Sequence, residues 1–140
     1  MHLAFFFAAI IAFSKVDSNQ KKAVWPKPTK TLVELSCGGD DNLTRGVCIA
    51  IEHSLSSSAE FEWNTEEKKG ALLVVIPTNV RWKELNQRTR AFYQVIFRSN
   101  DDDKTISKHR GSCWEDEIAV CGQQIVNEAI KIRRKLSRRN

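Results

Sequence analysis

The sequence lacks the short motifs that mark common catalytic sites. It contains no Gly-x-Ser-x-Gly segment, which presents the nucleophile of many hydrolases, and no glycine-rich phosphate loop. It also contains no Cys-x-x-Cys pair, so a thiol–disulfide redox role is not predicted. No carboxylate is flanked by the apolar residues that would raise its pKa for acid catalysis. We therefore predict no catalytic residue, no cofactor and a non-enzymatic protein.

Standard metal-binding patterns are also lacking. His109 and Cys113 lie four residues apart, with Cys121 beyond, but this spacing matches no common zinc site. Asp101–Asp103 lack the alternating oxygen ligands of a calcium loop, which favours a solvated turn. His53 lies beside the apolar stripe of a predicted helix, and we expect it at the surface. No metal site is predicted, and a dispersed enzyme site around His109 is kept as a third functional hypothesis.

No apolar stretch is long enough to span a membrane as a helix. The uncharged run Leu3–Phe13 is too short for a bilayer and is typical of a secretory signal peptide. Cleavage after Ser14, with Ala12 two positions earlier, satisfies the preference for small residues at such sites. We predict a signal peptide over residues 1–14 and a protein exported to a periplasm or the extracellular space. An apolar N-terminal strand or helix of the fold is the alternative.

Four cysteines in an exported chain predict two disulfides rather than free thiols. Cys37 and Cys113 each follow a serine at the end of a predicted strand, whereas Cys48 and Cys121 each follow a valine in the next predicted helix. This echo favours the local pairs 37–48 and 113–121. The second pair requires a helix that begins near Glu115, because eight helical residues rise about 12 Å and bonded cysteines have Cα atoms within about 7 Å. The pairs 37–113 and 48–121 remain the alternative.

The longest periodic stretch runs from Trp114 to Leu136. Acidic side chains crowd its first turn and basic ones its last, which suits the helix dipole. Apolar residues recur there every three or four positions, so we predict an amphipathic helix of about six turns: Trp114, Ile118, Cys121, Ile125, Ala129, Ile132 and Leu136.

A first strand and a first helix are predicted at the start of the domain. Thr31–Cys37 alternates as a strand, and a helix then extends to about Leu55. Asp40, Asp41 or Asn42 is expected to cap it. Asn42 also begins a glycosylation sequon. Gly46 within this helix predicts close packing against a neighbouring element.

The middle of the chain is typical of consecutive strands separated by short polar turns, which favours antiparallel pairing. Further strands are predicted over residues 59–64, 71–76, 90–98 and 105–111, while residues 77–87 either extend a strand or form a loop. We therefore predict a single α+β domain over residues 31–136. Two amphipathic helices cover one face of an antiparallel sheet of four to five strands, in the order β-α-β-β-β-(β)-α.

The net charge of +5 is unevenly distributed. Residues 31–130 contain 11 basic and 16 acidic side chains, whereas residues 15–30 form an exposed basic leader and residues 137–140 a basic tail end. The last ten residues carry six cations and no acid. A solvated helix end is the favoured explanation, since cations suit the end of a helix and the tail has no aromatic ring on which a base could stack. The candidate contacts for an anionic partner are Arg133, Arg134, Lys135, Arg138 and Arg139.

Two functional hypotheses follow. The first is a small exported, disulfide-stabilised accessory protein that contacts another protein through a surface or a free sheet edge. The second is a binder of an anionic polymer or membrane surface, such as nucleic acid or anionic lipid, through the basic N- and C-terminal segments. A strong dependence of binding on salt concentration would distinguish the second from the first.

Overall fold

Two helices pack side by side on one face of a six-stranded sheet in the computed structural model, which describes residues 29–138. The predicted α+β class and its two helices are confirmed. The predicted signal peptide, most of the leader and Arg139 lie outside the described residues. The elements in chain order are β1 (Thr31–Cys37), α1 (Asn42–Ser56), β2 (Phe61–Trp63), β3 (Leu72–Ile76), β4 (Arg81–Leu85), β5 (Arg88–Ser99), β6 (Thr105–Trp114) and α2 (Ile118–Ser137).

The sheet is mixed, so the prediction of an antiparallel sheet is corrected for its first half. Strand β1 lies between β2 and β3 and is parallel to both. The reason is that α1 carries the chain back along the sheet before β2 begins, as a crossover between parallel strands requires. The second half is antiparallel: β3 and β4 lie end to end along one side of β5, and β6 pairs along the other.

Residues 81–85 form a strand where a loop was one of two predictions. Strand β4 pairs with the first half of β5 through a turn at Asn86 and Gln87, whose φ angles are +50° and +62°. Positive φ at both turn residues matches the twist of the flanking strands. Only Leu85 of β4 is partly buried, so no alternation of apolar residues marks this strand. The sheet therefore has six strands rather than four to five, in the order β-α-β-β-β-β-β-α.

A capping side chain marks the start of α1, and a 3-10 turn precedes α2. The Asp41 carboxylate accepts hydrogen bonds from the backbone N–H of Thr44 at 2.8 Å and from its hydroxyl at 2.7 Å. These bonds hold the pKa of Asp41 below its usual value. Asp41 is therefore the helix cap, and Asn42 is the exposed first residue of α1. Helix α2 begins at Ile118 rather than Trp114, because β6 continues to Trp114 and residues 115–117 form a 3-10 turn.

The core fills the space between the helices and the sheet. Its α2 side matches the predicted stripe at Cys121, Ile125 and Ala129, although Leu136 is exposed. Among residues 29–138, no helix is both long and apolar enough to cross a membrane. The largest fully buried side chains are Phe97, Ile51, Leu55, Ile76, Ile125, Val33, Val47, Val74, Val95 and Val126.

Two disulfides close one end of the domain. Cys37 bonds to Cys48 with a Cα separation of 6.5 Å, and Cys113 bonds to Cys121 with 5.5 Å, which is the favoured local pairing. Strands β1 and β6 run in the same direction, and each is followed by a helix that turns back. Each disulfide therefore joins the end of a strand to the first half of the following helix, and we call this the bonded end.

Candidate binding surface

The C-terminal cations, which were predicted to bind an anion as one group, have two different environments in the structure. Arg133 forms an ion pair with Glu60 and donates to the Thr31 hydroxyl at 2.8 Å and to the Thr29 carbonyl at 3.1 Å. Arg134 also reaches Glu60, at 3.4 Å. These contacts attach the end of α2 to the start of β1 and to the segment before β2. Lys135 and Arg138 instead line a hollow of about 680 Å³, together with Lys131 and Arg134.

His109 lies on β6, in a hollow of about 390 Å³ between that strand and α2. Its ring centroid is 6.1 Å from that of Tyr93, whose hydroxyl donates to the Gln124 side chain at 2.9 Å. Burial raises the pKa of Tyr93 to about 12, and the negative charge of Glu128 adds to this effect. The tyrosine therefore stays protonated at physiological pH and acts as a hydrogen-bond donor, not as a base.

The acidic turn between β5 and β6 uses its carboxylates locally. Asp101 accepts the backbone N–H of Gly70 at 2.7 Å, Asp102 accepts that of Lys104 at 3.1 Å, and Asp103 pairs with Arg98 at 3.0 Å. This turn borders a cavity of about 640 Å³ at the end of the domain opposite the disulfides. The cavity is also lined by Thr31, Leu72, Arg133, Leu136 and Ser137.

A basic surface lies on the side of the sheet that faces away from the helices. Cross-strand partners share one face of a sheet, and Ala91 pairs with Cys113, which is bonded to α2. The neighbouring residues Arg90 and Trp114 must then point away from the helices. We call the residues of β4, β5 and β6 with this orientation the outer face. Seven of them are basic and none is acidic: Arg81, Lys83, Arg88, Arg90, Arg98, Lys108 and Arg110.

Two of these seven cations have an anionic partner in the part of the chain that the structure describes. Arg88 forms a bidentate pair with Asp116 at 2.8 and 2.9 Å, which lowers the pKa of Asp116, and Arg98 pairs with Asp103. The other five form no ion pair with any residue of the described part of the chain. These five are Arg81, Lys83, Arg90, Lys108 and Arg110.

Two aromatic rings lie among the cations. The Arg88 guanidinium is 4.4 Å from the Trp114 ring centroid, and the Arg90 guanidinium is 5.3 Å from Trp114 and 5.9 Å from Phe92. Arg90 is held further by a hydrogen bond from its Nε to the Ser112 hydroxyl at 3.1 Å. Phe92 keeps 37% of its surface exposed although it lies in a central strand. The outer face therefore combines planar groups with positive charge.

This charge pattern has an energetic cost for the fold. Lys83 lies directly opposite Arg90 on the neighbouring strand. Like charges in this position destabilise a sheet, typically by a few tenths of a kcal/mol, roughly 0.2–1. Five cations on one face that have no ion pair within the described residues are therefore not explained by stability.

The outer face was missed at the sequence level because its cations are dispersed. Summing charge over residues 31–130 gives an acidic body, which hides the segregation of charge between two faces. The sequence does contain one indication of this surface, because pairs of cations are two positions apart at 81 and 83, at 88 and 90, and at 108 and 110. Such a pattern places each pair on the same side of a strand.

The sequence matches no protein family, and no curated protein matches it. Comparison with solved structures finds similar folds at low sequence identity, and a TM-score above 0.5 for the first of the two that follow. Protein XCC0632 from Xanthomonas campestris, described under family DUF330, has a TM-score of 0.60 at 6% identity, over 83% of this chain and 92% of that one. The PelC dodecamer from Paraburkholderia phytofirmans has a TM-score of 0.49 at 6% identity, over 69% of this chain and 86% of the other. The first similarity supports the α+β arrangement of a mixed sheet with two helices.

Proposed function

We propose that this chain is an exported, disulfide-stabilised, non-enzymatic protein that binds a partner through the outer face of its sheet. Two disulfides support export, since such bonds persist mainly in oxidising compartments. The observation that carries the proposal is a group of five cations around Phe92 and Trp114 that form no ion pair with any of residues 29–138. An interaction surface accounts for both the unpaired charge and the exposed ring.

The free edge of the sheet is the competing contact surface. Strand β6 has ten residues and pairs only with β5 among the described strands. A partner that adds a strand there would be held mainly by main-chain hydrogen bonds, so substitution of outward-pointing side chains would affect it little. The outer face is favoured because its side chains carry the unusual chemistry.

Binding of an anionic partner through the terminal segments is the other alternative. Arg133 and Arg134 already contact Glu60, so this alternative depends on Lys135, Arg138, Arg139 and the leader. It predicts protection of the helix lysines by a partner. The outer-face proposal predicts protection of Lys83 and Lys108 instead.

Lysine acetylation mapped by mass spectrometry tests the proposal. The full chain would be labelled alone and in an extract of the compartment to which it is exported. We expect acetylation of Lys83 and Lys108 to slow at least threefold in the extract, while Lys131 and Lys135 change little. Protection confined to Lys131 and Lys135 would favour the terminal segments. Unchanged labelling of Lys83 and Lys108 would contradict the proposal.

A further inference from the structure

We infer that the partner of the outer face is a single-stranded nucleic acid, with phosphates bound by the cations and bases stacked on the planar groups. This inference rests on the proposed function and names its ligand class. It follows from three properties of the described surface: its shape, its aromatic content and its charge. Each property removes a different alternative.

The shape of the outer face suits an extended polymer. Solvent reaches the outward side chains of all three strands: Arg81, Lys83, Arg88, Phe92, Lys108 and Arg110 are exposed. The cations occupy three adjacent strands, with about 4.8 Å between strands and about 7 Å between successive outward residues on one strand. A chain with a regularly repeated negative charge can contact several of them at once.

The aromatic content favours bases over other anionic groups. An acidic protein or an anionic membrane requires only the cations, whereas Phe92 and Trp114 add ring faces beside two guanidinium planes. Unpaired bases stack on both aromatic rings and arginine planes. A duplex keeps its bases stacked inside, and a broad sheet does not enter its major groove, which admits a helix or a two-stranded ribbon. Single strands therefore fit this surface better than duplexes.

Charge opposes two occupants that the chain itself could supply. Residues 15–30 contain five lysines and one aspartate, so the leader would be repelled from the outer face. A two-fold dimer that placed the outer faces of its two copies against each other would bring like charges together. A separate anionic partner complements the charge of the outer face better than either.

Binding of the full chain to a labelled oligothymidine of about 12 nucleotides, a length within the range for single-strand sites, tests the charge requirement. The outer-face variant carries Arg81→Gln, Lys83→Gln, Lys108→Gln and Arg110→Gln. The matched control removes the same number of charges from the two helices and the residue after α2: Arg45→Gln, Lys131→Gln, Lys135→Gln and Arg138→Gln. We expect the outer-face variant to bind at least tenfold more weakly and to flatten the slope of log affinity against log salt, by up to about 0.7 for each phosphate that is no longer bound.

The control variant should retain much more of its affinity, because only its general positive charge changes. If the control were weakened as much as the outer-face variant, or more, the nucleic-acid surface would not be the outer face. Circular dichroism and unfolding midpoints of both variants would show that each is folded. The outer-face variant should not be less stable than the control, since it removes like charges that face each other.

Phe92→Leu tests the stacking step, because it keeps an apolar side chain and the net charge but removes the ring. We expect it to weaken oligothymidine binding about fivefold or more and to leave binding of dextran sulfate unchanged. Anionic vesicles and polyglutamate serve as further probes. Tighter binding of any of these three than of the oligonucleotide at the same salt, with no effect of Phe92→Leu, would overturn the nucleic-acid inference. Protection of Lys83 and Lys108 by that probe would leave the proposed binding face standing.

Discussion

At the scale of single residues, two helical glycines differ in the space around them. A Cβ built on Gly46 would have its nearest neighbour, the Ile118 side chain, 4.0 Å away. The predicted close packing at Gly46 is therefore wrong. A Cβ on Gly122 would lie 2.4 Å from the Ala50 carbonyl oxygen, where the two helices touch. Gly122 is the position where the missing side chain allows close packing.

We predict opposite effects of the same substitution at these two sites. Gly46→Ala should raise the free energy of unfolding by about 0.5–1 kcal/mol, because alanine favours the helix and meets no clash. Gly122→Ala should lower it by about 1–3 kcal/mol, because the helices must move apart. Urea unfolding followed by circular dichroism measures both. Equal effects of the two variants would contradict this account of how the helices pack.

Single residues also show how much of the binding surface could be predicted from the sequence. Arg133 and Arg134 were predicted as contacts for an anionic partner because they are adjacent in a basic segment, yet both contact Glu60. Arg90 and Lys83 are seven positions apart and become neighbours only through pairing of β4 with β5. Composition alone cannot bring them together, since the register of two strands is a property of the folded sheet.

At the scale of elements, strands that bury one face were predictable, whereas β4 and the sheet topology were not. The alternation in β1 and the apolar runs in β3 and β5 follow from their buried positions. Strand β4 buries almost none of its side chains, so its sequence shows no apolar pattern. Its backbone pairing with β5 holds it in the sheet. The parallel pairing of β1 with β2 was also missed, because the direction of α1 relative to the sheet has no local signature.

The β4–β5 turn makes a specific prediction. Gln87 has a φ of +62°, which is unfavourable for a residue with a Cβ, whereas Asn86 at +50° is of a type that tolerates this region. Gln87→Gly should stabilise the protein by about 0.5–1 kcal/mol, since glycine is preferred at this turn position. Asn86→Gly should have a smaller effect. A drop in thermal stability of the Gln87 variant would show that the glutamine side chain makes a stabilising interaction of its own.

At the scale of the whole molecule, the two ends of the domain are held differently. Both disulfides lie at the bonded end, while the opposite end contains the 640 Å³ cavity and the ion pairs of Glu60 with Arg133 and Arg134. Local opening is easiest where few covalent and apolar contacts exist. The last turns of α2 should therefore open before its first turns.

Glu60→Gln tests this difference. It removes both ion pairs, so we expect amide hydrogen exchange over about residues 130–137 to become roughly fivefold faster, equivalent to about 1 kcal/mol. Exchange over residues 118–122, beside the Cys113–Cys121 bond, should not change. Glu128→Gln removes an exposed pair with Lys131 in the same helix and serves as the control. Uniform acceleration along α2 in the Glu60 variant would mean that the helix opens as one unit.

The position of the disulfides also determines how the domain would respond to a stretching force. The chain enters β1 at Thr31 and leaves α2 at Ser137, both at the end without disulfides, where Arg133 links them. A pull on these two points would separate the start of β1 from the end of α2, so both elements would peel from the domain beginning at this end. Cys37–Cys48 and Cys113–Cys121 lie at the far end of both paths. Each bond would keep its strand attached to the following helix. Two covalently closed strand–helix junctions would therefore remain after the non-covalent contacts of the domain had broken.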